Sequence, residues 1–122
     1  MEMARNREAK ILAKTFRDRL SVYRKHLERD PKTQATVEVE TTVYEDIICA
    51  LSQKNNGVPE RQEFHSETKR DHTIFTTPGI ELRDNDRAVI HTEAGQIFEG
   101  TTGKTFGYVS HGETPFSVEE IT

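Results

Sequence analysis

The side chains with the widest chemical reach in this 122-residue sequence are five histidines, one cysteine and the lysine of a Gly-Lys-Thr triplet. His26, His65, His72, His91 and His111 contain no pair at the close spacing of a zinc-binding helix or knuckle, and the lone Cys49 cannot complete a finger. No metal site is expected. Cys49 lies inside the apolar run Ile47–Leu51 and reads as a small core hydrophobe, because a reactive thiol needs an electropositive, partly exposed setting that its neighbours do not supply. Gly100-Thr101-Thr102-Gly103-Lys104-Thr105 ends like a phosphate-binding loop. That loop requires four residues between its glycines and a helix after it; here two intervene and a strand pattern follows. Asp84-Asn85-Asp86 lacks the glycine and terminal glutamate of a calcium loop and reads as an acidic turn between strands. No serine sits in a nucleophile-elbow pattern. The chain is expected to be neither an enzyme nor a cofactor binder.

Composition narrows the class further. Hydrophobic residues make up 33% and charged residues 31% of the chain, which allows one domain with a lean core. No apolar run approaches the roughly 20 residues that span a bilayer, and the charged start Met1–Lys10 lacks a secretory signal's apolar stretch. One cysteine makes no internal disulfide. A soluble protein made in the cytoplasm, without membrane contact, is the expectation. The net charge of −4 hides an asymmetry: residues 1–32 carry a balance of +5 and residues 33–122 a balance of −9. The larger, acidic part would repel phosphate, against a free-standing nucleic-acid binder.

Residues 1–16 read as one helix, rich in good helix formers and free of Gly and Pro, with Ala4, Ile11, Leu12, Thr15 and Phe16 as a narrow apolar stripe. A helix this short must lie on the domain or on a partner. Its basic residues Arg5, Arg7 and Lys10 are candidates for docking on an acidic neighbour. Residues 17–122 read as a single β domain. Leu20 and Val22 alternate with polar residues, Asp30-Pro31-Lys32-Thr33 is a turn, and Thr36–Asp46 alternates most clearly, with Val37, Val39, Thr41 and Val43 on one side. The two runs predict an antiparallel hairpin whose second strand is half-buried. Ile47–Ser52, Phe64–Thr77, Ala88–His91, Ile97–Glu99 and Thr105–Val109 read as further strands, with Glu113-Thr114-Pro115 as the exit. Five or six short strands predict a small antiparallel β-barrel or sandwich carrying one N-terminal helix and a projecting loop. That loop is the strongest break in the sequence: Gln53, Lys54, Asn55, Asn56, Gly57, Val58, Pro59 and Glu60, extending towards residue 70.

Taken in order, Arg19-Leu20-Ser21-Val22-Tyr23-Arg24-Lys25, Val43–Ser52, Phe75-Thr76-Thr77-Pro78, Asp86-Arg87-Ala88-Val89-Ile90 and Tyr108–Pro115 resemble a known family. The sequence is similar to the head-closure proteins (head-completion proteins, head-tail stoppers or connectors) of long-tailed bacteriophages, with PBSX-type phage-like elements, which are defective prophages, the nearest likeness. The likeness covers about residues 17–116 and rests on diffuse strand patterns. The helix precedes it, and Asn85-Asp86 stands where Gly-Asp is expected. The resemblance implies a structural protein of the virion neck, assembled from host cytoplasm as a homo-oligomeric ring below the portal and adaptor, with a surface for tail-end proteins. It also implies that the loop Gln53–Glu60 narrows the central channel. An acidic body would let double-stranded DNA pass without sequence-specific binding. A small nucleic-acid- or carbohydrate-binding barrel is the alternative, and would need exposed aromatic and basic side chains on one sheet face.

Overall fold

The computed structural model describes residues 2–53 and 72–122. The chain runs α1 (Glu2–Ala13), β1 (Asp18–Arg29), β2 (Thr36–Gln53), β3 (His72–Thr76), β4 (Arg87–His91), β5 (Ile97–Thr102), β6 (Phe106–Gly107) and β7 (Gly112–Ile121). The sheet order is β3-β2-β1-β4-β5-β7-β6, all antiparallel, and β3 pairs in addition with β7. This last pairing closes six strands into a small barrel, with β6 flanking the start of β7.

Period-two alternation puts one side of every barrel strand inside. His72, Ile74 and Thr76 of β3, Ala88 and Ile90 of β4, and Gly112, Thr114 and Phe116 of β7 are buried, with their sequence neighbours half-buried or exposed. Leu20, Val22, Cys49, Ile74, Ala88, Ile90 and Phe116 form the core, and Leu82 enters it from the connection between β3 and β4. Full burial of each large aliphatic or aromatic side chain contributes about 1.5–3 kcal/mol. Burial pushes the Cys49 thiol up to about 12, with the Asp18 carboxylate adding to the effect, so the thiol stays protonated at neutral pH.

The helix ends in a tightened turn, where Lys14, Thr15 and Phe16 donate to the carbonyls of Ile11, Leu12 and Ala13. Phe16 is buried, Leu12 half-buried, and Ile11 exposed, so the expected stripe makes contact mainly at its C-terminal end. Among the described residues, no helix is long and apolar enough to cross a membrane.

Two strand assignments differ from the sequence pattern. Thr105–Val109 is not a core strand: β6 is two residues long and both are exposed. The last core strand is β7, which runs straight through Pro115. Proline survives there because its carbonyl is the group in use, accepting from Gly103 N at 2.9 Å, while Thr114 and Phe116 on either side supply the buried face. On β5, Gly100 meets a bulge in β7 between its partner Val118 and Glu120, the partner of Glu99. A Cβ added at Gly100 would overlap the Ser117 carbonyl oxygen, whereas one added at Gly107 would meet nothing within 4 Å. Gly100→Ala should therefore lower stability by about 1–3 kcal/mol or more. Gly107→Ala should leave it nearly unchanged, both read from urea denaturation midpoints.

Candidate functional site

Among the described residues, β1 and β2 build a projection from the barrel. Strand β1 pairs with β4 only from Arg19 to Tyr23, and β2 pairs with β3 only from Ala50 to Gln53. Beyond those limits the two strands continue together, Arg24–Arg29 against Thr36–Thr41, as a two-stranded arm. At about 3.3 Å per residue it extends roughly 20 Å. Its tip is held by Asp30, which accepts from Lys32 N through its carboxylate (2.9 Å) and from Gln34 N through its carbonyl (2.7 Å). Register slips twice at the root, between Leu20 and Val22 and between Val22 and Tyr23, leaving extra residues on β2. Asp46 takes φ 54° there, and its N–H donates to Ser21 Oγ at 3.1 Å. Successive bulges increase twist and turn the arm away from the barrel wall.

Two arginines tie the arm to the barrel. Arg24 donates to both oxygens of Asp86, Nε to Oδ1 at 2.9 Å and Nη2 to Oδ2 at 2.8 Å. Asp86 is buried and also accepts from Arg83 N at 2.9 Å. The Asp86 hydrogen bond raises the Arg24 guanidinium above its usual value despite partial burial. On the opposite face, Arg87 lies 4.4 Å over the Tyr23 ring and bridges Glu40 of the arm (3.0 Å) to Glu99 of β5 (2.7 Å). Its hydrogen bond holds the Glu40 carboxyl below the usual carboxylate range. Glu40 is ionised above that lowered value, so the tie is present at neutral pH and is lost as acid titrates it.

A second feature is a cleft of about 690 Å³ between the β3–β4 connection and the β6–β7 turn, lined by Leu82, Arg83, Lys104, Tyr108 and His111 among others. Tyr108 stacks on His111, ring centroids 5.1 Å apart. His111 Nε2 lies 2.8 Å from Glu113 Oε2 and its Nδ1 2.9 Å from Ser110 Oγ. With Nε2–H donated to the carboxylate, Nδ1 accepts the serine hydroxyl proton, which has the connectivity of a general-base relay. The serine, however, opens on a separate groove of about 350 Å³ beside Glu8, Ile11 and Leu12 of α1, while the His111 ring faces the larger cleft.

Of the residues singled out in the sequence, Arg7 and Lys10 are exposed on α1, whereas the Arg5 side chain lies outside the described residues. Gln53 ends β2, and the rest of the candidate channel loop, Lys54–Glu60, also lies outside them. Among the described residues no three His, Cys, Asp or Glu side chains gather as a metal site. His91 is exposed and lines neither cavity. The Gly100–Thr105 segment is committed to structure: Gly103 N donates to Pro115, and Thr105 Oγ1 accepts from Leu82 N. Asp86 was the residue that sequence reasoning missed. It is a buried anchor rather than a solvated turn charge, and Asn85 before it takes φ 70°, the left-handed conformation that Asn tolerates in place of Gly.

Removing Arg24 leaves Asp86 buried with only one backbone donor, whereas removing Asp86 leaves an arginine that can reach water. Arg24→Ala should cost about 3 kcal/mol and Asp86→Ala clearly less, compared by chemical denaturation. Equal losses would mean that the anchor acts by packing alone.

Comparison of the chain with protein-family models, with curated proteins and with solved structures finds no match.

Proposed function

We propose that this chain is a non-enzymatic structural protein of a bacteriophage or prophage neck. In this reading it closes the DNA-filled head and offers the surface on which a tail docks. The observation that carries the reading is the arm: a barrel closed on itself projects a two-stranded ribbon whose outer edges, among the described residues, are unpaired beyond Tyr23 and before Ala50. Open strand edges supply main-chain bonding to another chain, which suits assembly rather than turnover. The sequence likeness over residues 17–116 supports the same role. So does the charge balance of −9 over residues 33–122, which lets passing double-stranded DNA slide because few counterions are released. The copies form a ring on the portal and adaptor, and α1 docks through Arg5, Arg7 and Lys10 on an acidic neighbour in that ring. Gln53–Glu60 reaches into the channel, and tail-end proteins bind the far face. The protein is made in host cytoplasm and ends in the virion neck.

Deleting the gene from the element that carries it should give tail-free heads that packaged and then lost DNA, beside separate finished tails, in electron micrographs. Complementation with a chain carrying Arg5→Glu, Arg7→Glu and Lys10→Glu should fail to restore tails. Normal tailed particles after deletion would overturn the neck role.

A ligand-binding barrel is the second reading, favoured by one observation. Tyr108, stacked on His111 and 54% exposed, stands at a cleft that Arg83 and Lys104 also line. An oligosaccharide or a single nucleic-acid strand would lie on that ring. Titration calorimetry should then detect binding that Tyr108→Ala weakens by about tenfold or more. The absence of heat with either ligand class at millimolar concentration would remove this reading.

A further inference from the structure

We propose that the arm is the seam of the ring: the β1 edge of one copy adds to the β2 edge of the next, so that the arms join as one continuous antiparallel sheet. The inference rests on the ring-forming reading above and names the surface that forms it.

The two strands of the arm differ in charge. In the arm, β1 carries Arg24, Lys25 and Arg29 against one acid, Glu28. Facing it, Thr36–Thr41 of β2 carries Glu38 and Glu40 and no Lys or Arg. The register places Lys25 opposite Glu40, Leu27 opposite Glu38 and Arg29 opposite Thr36. These residues share one face of the ribbon, since each lies an even number of positions from the next. That face therefore has a basic row along one edge and an acidic row along the other. Keeping an exposed edge soluble needs charge, but it does not need the two signs sorted by strand.

Sorted signs decide between the possible pairings. A twofold pairing of β1 with a second β1 would set Lys25 and Arg29 against the same cations. Pairing of two β2 edges would bring Glu38 against acids alone, with Glu40 already held by Arg87 of its own copy. Like charges across a ladder are destabilising, so both twofold arrangements are disfavoured. Pairing β1 of one copy with β2 of the next puts opposite signs together. It is a head-to-tail contact, which closes into a ring when the rotation closes. Strand direction agrees: β1 and β2 are antiparallel within a copy, and rotation keeps each arm's direction, so β1 meets the next β2 antiparallel as well. The edges are available for this, with Lys25, Leu27, Arg29, Thr36 and Glu38 all exposed and Leu27 70% so.

Cross-linking of the full chain tests the seam. Leu27→Cys in one preparation and Thr36→Cys in another leave every charge in place, and native Cys49 is buried and stays unmodified. Mixed at millimolar concentration with a short bis-maleimide, they should give heterodimers at least about fivefold above the dimers of either alone. Arg29→Glu added to the Leu27→Cys chain should cut that yield by about threefold, and Glu38→Lys added to the Thr36→Cys chain should restore it. Dominant like-with-like dimers, or no cross-linked species, would overturn the proposal. Arms that fail to cross-link while gene deletion still yields tail-free heads would refute this seam and leave the neck role standing. Cross-linked arms with normal tailed particles would do the reverse.

Discussion

Pairing of His72–Thr76 with Gly112–Phe116 closes the sheet, and most of the molecule's behaviour follows from that closure. A closed barrel satisfies its backbone groups internally and presents no edge of its own. The strands that form it are short, three of them five or six residues long, so the interior holds only a small cluster around Leu20, Ile74, Ile90 and Phe116. Length not needed for closure is carried outside it. Strand β2 has 18 residues and β1 has 12, and their excess becomes the arm. A two-stranded ribbon is marginal alone in water. It is held here by its root, where Arg24 reaches into the barrel to Asp86 and Arg87 reaches out from β4 to Glu40.

The double bulge at the root reconciles these demands. One extra residue would have moved every following side chain to the opposite face. Two restore the parity on β2, so that Thr41, opposite Arg24, faces the same way as Ile47, opposite Leu20; Arg24 itself continues the inward row of Leu20 and Val22 along the unbulged β1, and its side chain points at Asp86. Within the first bulge, Asp46 turns with positive φ and Ser21 takes up its N–H. The arm thus leaves at a changed angle without giving up the facing that its anchor requires.

Much of this was legible in the sequence, for reasons that also explain the rest. Alternation from Thr36 and the Asp30-Pro31 turn expose a hairpin, and short strands between turn residues expose a barrel or sandwich. Alternation does not say what covers the apolar face, however. Val37 and Val39 repeat like core residues, yet lie beyond the barrel, and Val37 is 42% exposed. Pro115 reads as a break because its missing N–H is visible in the sequence, whereas the gap between the end of β5 and the start of β6 that accepts it is not. The Arg24–Asp86 anchor joins residues 62 positions apart and has no local signature. The basic start and acidic remainder are plain in the composition, but their meaning as two edges of one ribbon appears only once the register is known.

If the chain assembles as proposed, charge-sorted edges would resolve a conflict that any ring-forming β-protein faces. Free copies must stay apart in solution, yet the same edges must join when assembled. Exposed opposite charges attract weakly at physiological salt, where screening acts over about 8 Å, so isolated copies meet and part. A copy already seated beside another has its edge held at high effective concentration, and a pairing that is weak in solution becomes favourable there without new contacts. In the proposed ring the seating would come from elsewhere on the chain, for which Arg7 and Lys10, exposed on α1, are the candidates. In the proposed ring, helix and arm would divide the work: the helix would select the place, and the strand edges would join the neighbours once they are there.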